Sequence, residues 1–143
     1  MKFILMCMLT LCVTMACADN EKVIELNRLP QAAQKFVGQH FPDGKVAFVK
    51  METEIMSKSY EVTFVDGCHV DFDGKGNWTE VDCNRLAVPT AIIPTRIVDY
   101  VKANYPDAVV TKIERGRRDY EVKLSNRIEL KFDTKFKLID IDM

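Results

Sequence analysis

Residues 59–83, SYEVTFVDGCHVDFDGKGNWTEVDC, and residues 119–142, DYEVKLSNRIELKFDTKFKLIDID, carry one pattern written twice. Tyr60-Glu61-Val62 returns as Tyr120-Glu121-Val122, Phe72-Asp73 as Phe132-Asp133, and Lys75 as Lys135, each 60 positions on. Apolar and polar residues alternate, the period of strands, whose successive side chains point to opposite faces. In the second copy Ile128, Leu130 and Phe132 share a face, and so do Ile139, Ile141 and Met143. Glu129, Lys131, Asp140 and Asp142 fall on the other. A slip of one residue would bury those acids, so the register is specified. If 128 lies opposite 143, the same register 60 positions earlier puts Cys68 opposite Cys83 and Val70 opposite Val81. Asp73-Gly74-Lys75-Gly76-Asn77 supplies the Gly and Asn that a tight reversal needs.

Upstream the match continues at an offset of 64. Leu29-Pro30 pairs with Ile93-Pro94, Phe36-Val37 with Tyr100-Val101, and Phe41-Pro42-Asp43 with Tyr105-Pro106-Asp107. The first copy therefore holds four extra residues near 54–57, in a hairpin loop, where an insertion costs little. Pro30 and Pro94 suit the first helical position, and Ala33, Phe36, Val37, His40 and Phe41 follow at helical spacing. In the second copy Ile97, Tyr100, Val101, Asn104 and Tyr105 do the same. Four strands are expected after each helix, over 45–52, 59–65, 68–72 and 78–83, then 109–115, 119–125, 128–132 and 138–142. The fold class is α+β, with two tandem helix-plus-four-strand antiparallel repeats, 19–86 and 87–143.

Residues 1–18, MKFILMCMLTLCVTMACA, read as a secretory signal peptide. Lys2 precedes an apolar run that ends in Ala16-Cys17-Ala18, the small-x-small pattern of a cleavage site. The run is too short to span a bilayer. Acylation at Cys17 is the less favoured alternative, because Thr14-Met15-Ala16 lacks the usual upstream Leu. No other stretch is apolar enough to cross a membrane. The location implied is periplasmic or extracellular. Cys68 and Cys83 are the cysteines left after cleavage, and an even count in an exported chain suggests a disulfide. The full chain carries 20 basic and 21 acidic side chains, a balance that argues against nucleic-acid binding.

The same alternation leaves an outer sheet face. In the first copy it holds Val46, Phe48, Lys50, Glu61, Thr63, His69, Asp71, Trp78, Glu80 and Asp82. In the second it holds Val110, Lys112, Glu121, Lys123, Glu129, Lys131, Leu138 and Asp140. Phe48 and Trp78 are large aromatics among charges, the composition of an interface hot spot. With Lys50, Glu61 and Glu80 as a polar rim they form the expected binding site.

The apolar-Pro helix, the Phe-Pro-Asp stop, and the meander with Tyr-Glu-Val and Phe-Asp-x-x-Gly-x-Trp resemble the PepSY-like proteins of secreted bacterial origin. That family is similar in fold to the beta-lactamase inhibitor protein. The resemblance implies one curved sheet with helices on one face, export, and protein or peptide binding. It brings no catalytic residues. The second copy departs from it at the hairpin, with Thr134-Lys135-Phe136 in place of Gly74-Lys75-Gly76.

No motif for enzyme chemistry is present. Cys68 and His69 are adjacent in a strand and so point to opposite faces, which separates a thiol from its base. Neither His40 nor His69 has a second ligand at useful sequence spacing, so no metal site or cofactor is expected. Asp71, Asp73, Gly76 and Asp82 echo a calcium loop, but Lys75 stands where an oxygen ligand belongs, and a hairpin turn is the better reading. The expected function is a non-enzymatic, exported protein- or peptide-binding module, such as an inhibitor of an exported hydrolase. The alternative is a small-molecule or lipid carrier, disfavoured by the bulk of the Phe, Ile, Tyr and Leu on the inner face. Intact-mass analysis of the secreted protein should find a chain starting at Asp19 without lipid. An acylated Cys17 terminus would contradict the cleavage reading.

Overall fold

The computed structural model describes residues 20–143. Nine strands form one antiparallel sheet in which every strand neighbours the next in sequence. Strand β1 (Glu21–Ile24) precedes helix α1 (Gln31–His40). Then come β2 (Val46–Thr53), β3 (Lys58–Phe64), β4 (His69–Asp73) and β5 (Trp78–Asp82). Helix α2 (Thr95–Asn104) is followed by β6 (Val110–Arg115), β7 (Asp119–Leu124), β8 (Glu129–Asp133) and β9 (Leu138–Asp142). The fold is thus mixed α and β, with one nine-stranded sheet and two helices. Strand β1 was not expected, because its four residues are mostly exposed and carry little apolar signal. Pro30 and Pro94 cap the helices, which begin one residue later than the Pro signal suggested.

A continuous apolar row crosses all nine strands. Ile24 opposes Val49, and the row runs on through Val62, Val70, Val81, Ile113, Val122, Leu130 and Ile141. Its members from Val49 to Leu130 are at most 1% exposed. Both helices pack on this face. Phe36 of α1 meets Phe72 edge-on at 5.6 Å, and Tyr100 of α2 meets Phe132 at 5.5 Å. The expected pairing of Val70 with Val81 is present. Strand β9 departs from expectation, because Ile139, Ile141 and Met143 are exposed on the last strand of the sheet.

Four register shifts correct the outer-face list. They fall between Val46 and Phe48, Asp71 and Phe72, Val110 and Lys112, and Lys131 and Phe132. A bulge adds one residue to a strand and breaks the alternation there. The effect is to bring Val46 opposite Phe64, Trp78 opposite Phe72, Val110 opposite Leu124 and Leu138 opposite Phe132. All four were assigned outward, and all four instead join the core or pack against it. They were the apolar exceptions on a charged face, with Phe48 the one that remains.

The β4–β5 turn lies against helix α1. Gly76 has φ +89°, and a Cβ there would come within 2.9 Å of Pro30 Cβ and 3.0 Å of the Ala33 nitrogen. In the β8–β9 turn Phe136 takes φ 64°. Its ring packs on Tyr120 at 5.3 Å, which offsets the cost of that backbone. Gly76→Ala should therefore lower stability by about 2 kcal/mol. Gly38→Ala, on the open side of α1, should raise it by about 0.5–1 kcal/mol. Urea unfolding of both variants checks this, and equal effects would contradict the close packing at Gly76.

Candidate functional site on the uncovered sheet face

Residues one step from the apolar row point away from the helices. Lys50, Glu61, Asp71, Glu80, Glu114, Glu121, Lys131 and Asp140 stand directly opposite one another in that order across β2 to β9. Five consecutive members are acids. Like charges directly opposed are destabilising in a sheet, so the packing of the other face carries this row. The neighbouring row runs Phe48, Thr63, His69, Asp82, Lys112, Lys123, Glu129 and Asp142.

Four of the five expected binding residues share this face. Phe48 is 38% exposed, with Lys50 Nζ 5.6 Å from its ring centroid. Lys50 also reaches Glu21 at 3.9 Å. Glu61 lies between Lys50 and Asp71, and Glu80 between Asp71 and Glu114. Trp78 is the fifth, and the fold separates it from the others. Its ring lies 6.3 Å from Phe36 of α1. The Arg115 guanidinium covers the ring at 4.4 Å and donates to the Trp78 carbonyl at 2.7 Å. Trp78 packs against the core instead of lining the outer face, because the bulge at β4–β5 breaks the alternation that pointed it outward.

The expected Cys68–Cys83 disulfide is not present in the structure. Cys68 and Cys83 are buried free thiols. They flank the His69–Asp82 pair, as the repeat register implied. Burial, and for Cys68 the neighbouring Cys83, pushes both thiols up. A raised thiol is a poorer source of the thiolate that attacks sulfur. Asp73 closes the β4–β5 turn by accepting from the Lys75 and Asn77 backbone N–H groups, each at 2.9 Å. That bonding accounts for Asp73 among the residues that echoed a calcium loop, whereas Asp71 and Asp82 lie beside His69 on the outer face.

The sequence reading missed the centre of the face. His69 has carboxylates on both ring nitrogens. Nδ1 lies 3.5 Å from Asp71 Oδ1, and Nε2 lies 3.6 Å from Asp82 Oδ2 and 4.0 Å from Glu80 Oε2. The Asp71 carboxylate is the main cause that raises the imidazole to about 8; it outweighs burial and is helped by Glu61 and Asp82. Burial pushes Glu80 up, partly offset by Lys112, whose Nζ is 3.4 Å from Glu80 Oε1. Two sets of side chains could hold a metal ion, Glu61 with His69 and Asp71, and His69 with Glu80 and Asp82. The signal for these contacts is cross-strand. The register that set Cys68 opposite Cys83 also sets His69 opposite Asp82, whereas a search for ligands nearby in sequence finds none.

The chain matches the family model described as "Putative beta-lactamase-inhibitor-like, PepSY-like" over residues 58–140, and it belongs to that family. Among solved structures it is similar to a "putative calcium-regulated periplasmic protein" of Bacteroides thetaiotaomicron. That chain is 61% identical with a TM-score of 0.86, over 88% of this chain and 99% of the other. Two Bacteroides vulgatus chains, each described as a "putative periplasmic protein", are also similar. One is 56% identical with a TM-score of 0.84 over 88% and 99% of the two chains. The other is 38% identical, with a TM-score of 0.81 over 86% and 99%. No curated protein matches the chain. The periplasmic descriptions agree with the exported location read from the sequence. The leader over 1–18 and acylation at Cys17 lie outside the described residues. No described helix is long and apolar enough to cross a membrane.

The charge around His69 has a measurable consequence. Its folded value lies above the ordinary 6.5 of the unfolded chain, so folding is favoured by the protonated form. Glu61 on β3, Asp71 on β4, and Glu80 and Asp82 on β5 face the ring. In chelator-treated buffer, about 1–2 kcal/mol of stability should be present below pH 6.5 and lost as the pH rises through 8. Denaturant titrations from pH 6 to 9 check this. His69→Gln should flatten the profile, and a wild-type stability that rises across that window would contradict it.

Proposed function

We propose that this protein is a non-enzymatic periplasmic binding module that docks a cationic segment of another exported protein on the uncovered sheet face. The observation that carries the reading is the row of five opposed acids, Glu61, Asp71, Glu80, Glu114 and Glu121. Such a row stores repulsion that a basic partner relieves. Phe48, exposed at one end of the face, offers apolar contact area beside Lys50. Inhibition of an exported hydrolase is one form such binding takes, and the family description supports it. A carrier role is less well supported. The side of the sheet under the helices is filled by large buried side chains such as Phe72, Phe132, Ile97 and Ile113.

We also read the chain as two copies of one helix-plus-four-strand unit. Support comes from contacts that recur at the repeat offsets. Phe36 on Phe72 matches Tyr100 on Phe132, and each bulge of the first half has a counterpart in the second. The copies differ on the outer face, which leaves that face free to specialise.

An oligolysine peptide is a suitable probe, with oligoglutamate as its control. Amide shifts in NMR should concentrate on β3 to β7 and fade with added salt. The Glu114→Gln/Glu121→Gln variant should bind the peptide about tenfold more weakly, a loss of about 1.4 kcal/mol. Its stability should be unchanged or higher, since like charges are removed. Shifts centred on the helices, or no binding at low salt, would overturn the reading.

A further inference from the structure

We propose that His69 Nε2, Glu80 and Asp82 form a binding site for a divalent cation of borderline softness, zinc above all, with Asp71 orienting the imidazole. This inference does not rest on the docking reading. Zinc binds nitrogen and carboxylate oxygen at about 2.0–2.2 Å, so two ligands on one tetrahedral ion stand about 3.4 Å apart. The observed separations from Nε2, 3.6 Å to Asp82 and 4.0 Å to Glu80, are within small side-chain adjustments of that value. His69 and Asp82 are a directly opposed cross-strand pair, and Glu80 is two residues from Asp82 on the same strand. The site therefore stands on two packed strands instead of a loop. Lys112 engages Glu80 through Oε1 and leaves Oε2 facing the ring.

A second observation comes from the other nitrogen of the same ring. Among the described residues, two buried side-chain polar atoms have no hydrogen-bond partner, His69 Nδ1 and Asp71 Oδ1. They face each other at 3.5 Å, slightly too far apart for a well-formed hydrogen bond. When the imidazole donates from Nδ1 to a carboxylate, its Nε2 lone pair is fixed outward. Here that direction holds Asp82 and Glu80. A metal on Nε2 would draw the Nδ1 proton toward Asp71 and satisfy both orphaned atoms.

The second half of the sheet shows that the fold does not need this cluster. The positions matching His69 and Asp71 are Glu129 and Lys131, and Lys131 reaches Asp119 at 3.4 Å. That half carries its own cation among the acids. The first half sets four carboxylates around one imidazole; Lys112 engages Glu80 and Lys50 stands opposite Glu61, and a divalent ion would balance the acids that remain. The imidazole also selects the ion, because nitrogen ligands suit zinc, whereas calcium and magnesium take oxygen.

The test is a zinc titration of the mature chain against a chromophoric chelator. It is run in a Cys68→Ser/Cys83→Ser background so that thiols do not contribute. One zinc should bind, and calcium should bind much more weakly. His69→Gln should abolish binding, and Asp71→Asn should weaken it by about 10- to 100-fold. Glu80→Gln serves as a second ligand variant should His69→Gln fail to fold. Glu121→Gln, outside the cluster, should leave zinc affinity unchanged. Long-range ¹H–¹⁵N spectra of the imidazole should show zinc on Nε2. No zinc binding, full affinity in a folded ligand variant, zinc on Nδ1, or calcium binding as tight as zinc would each overturn the proposal.

Discussion

The apolar row from Ile24 to Ile141 is the constraint on which the rest of the molecule depends. Every strand contributes one residue to it, and its central seven members are almost wholly buried. Sliding any strand by one residue would exchange a buried Val, Ile or Leu for its charged neighbour. The cost would be the loss of apolar burial, worth about 1.5–3 kcal/mol per side chain, together with the desolvation of an unpaired charge. The register is therefore set from the helix side, and the outer face inherits whatever the alternate positions hold.

What it inherits is a row of acids that would not assemble for its own stability. The packed face tolerates that repulsion, and the result is a fixed electrostatic pattern on a rigid support. His69 is where this matters most. Cross-strand pairing and strand alternation, not a loop motif, bring Asp71, Glu80 and Asp82 to its two nitrogens. Binding by such a face draws on charge complementarity, which governs specificity and association rate more than affinity. Exposed Phe48 adds apolar area at one end of the face.

Most of the fold was legible because both halves of the chain write it in the same periods. The helix stops at Pro42 and Pro106, the extra loop at 54–57 and the pairing of Val70 with Val81 all followed from spacing. Bulges were not legible, because a single extra residue leaves composition unchanged while reversing the faces beyond it. Val46, Trp78, Val110 and Leu138 were misplaced for that one reason. They did carry a signal, since each was apolar on a face otherwise charged. An apolar misfit at a strand end can mark a bulge as readily as a binding hot spot. The cysteines show a different limit, because register predicts that two sulfurs meet but not whether they are bonded. Arg115 was invisible for a third reason. Its stacking on Trp78 and its bond to the Trp78 carbonyl depend on β5 pairing with β6, the join between the two halves.

Trp78 is the only tryptophan in the chain, so its indole reports on register and facing without ambiguity. Nuclear Overhauser contacts from that ring test most directly the claim that the apolar row and its bulges decide which side chains reach the outer face. The account predicts contacts to the ring of Phe36 and to the side chain of Arg115. Contacts from the indole to outer-face side chains such as Glu61 or Lys50, with none to Phe36, would contradict it.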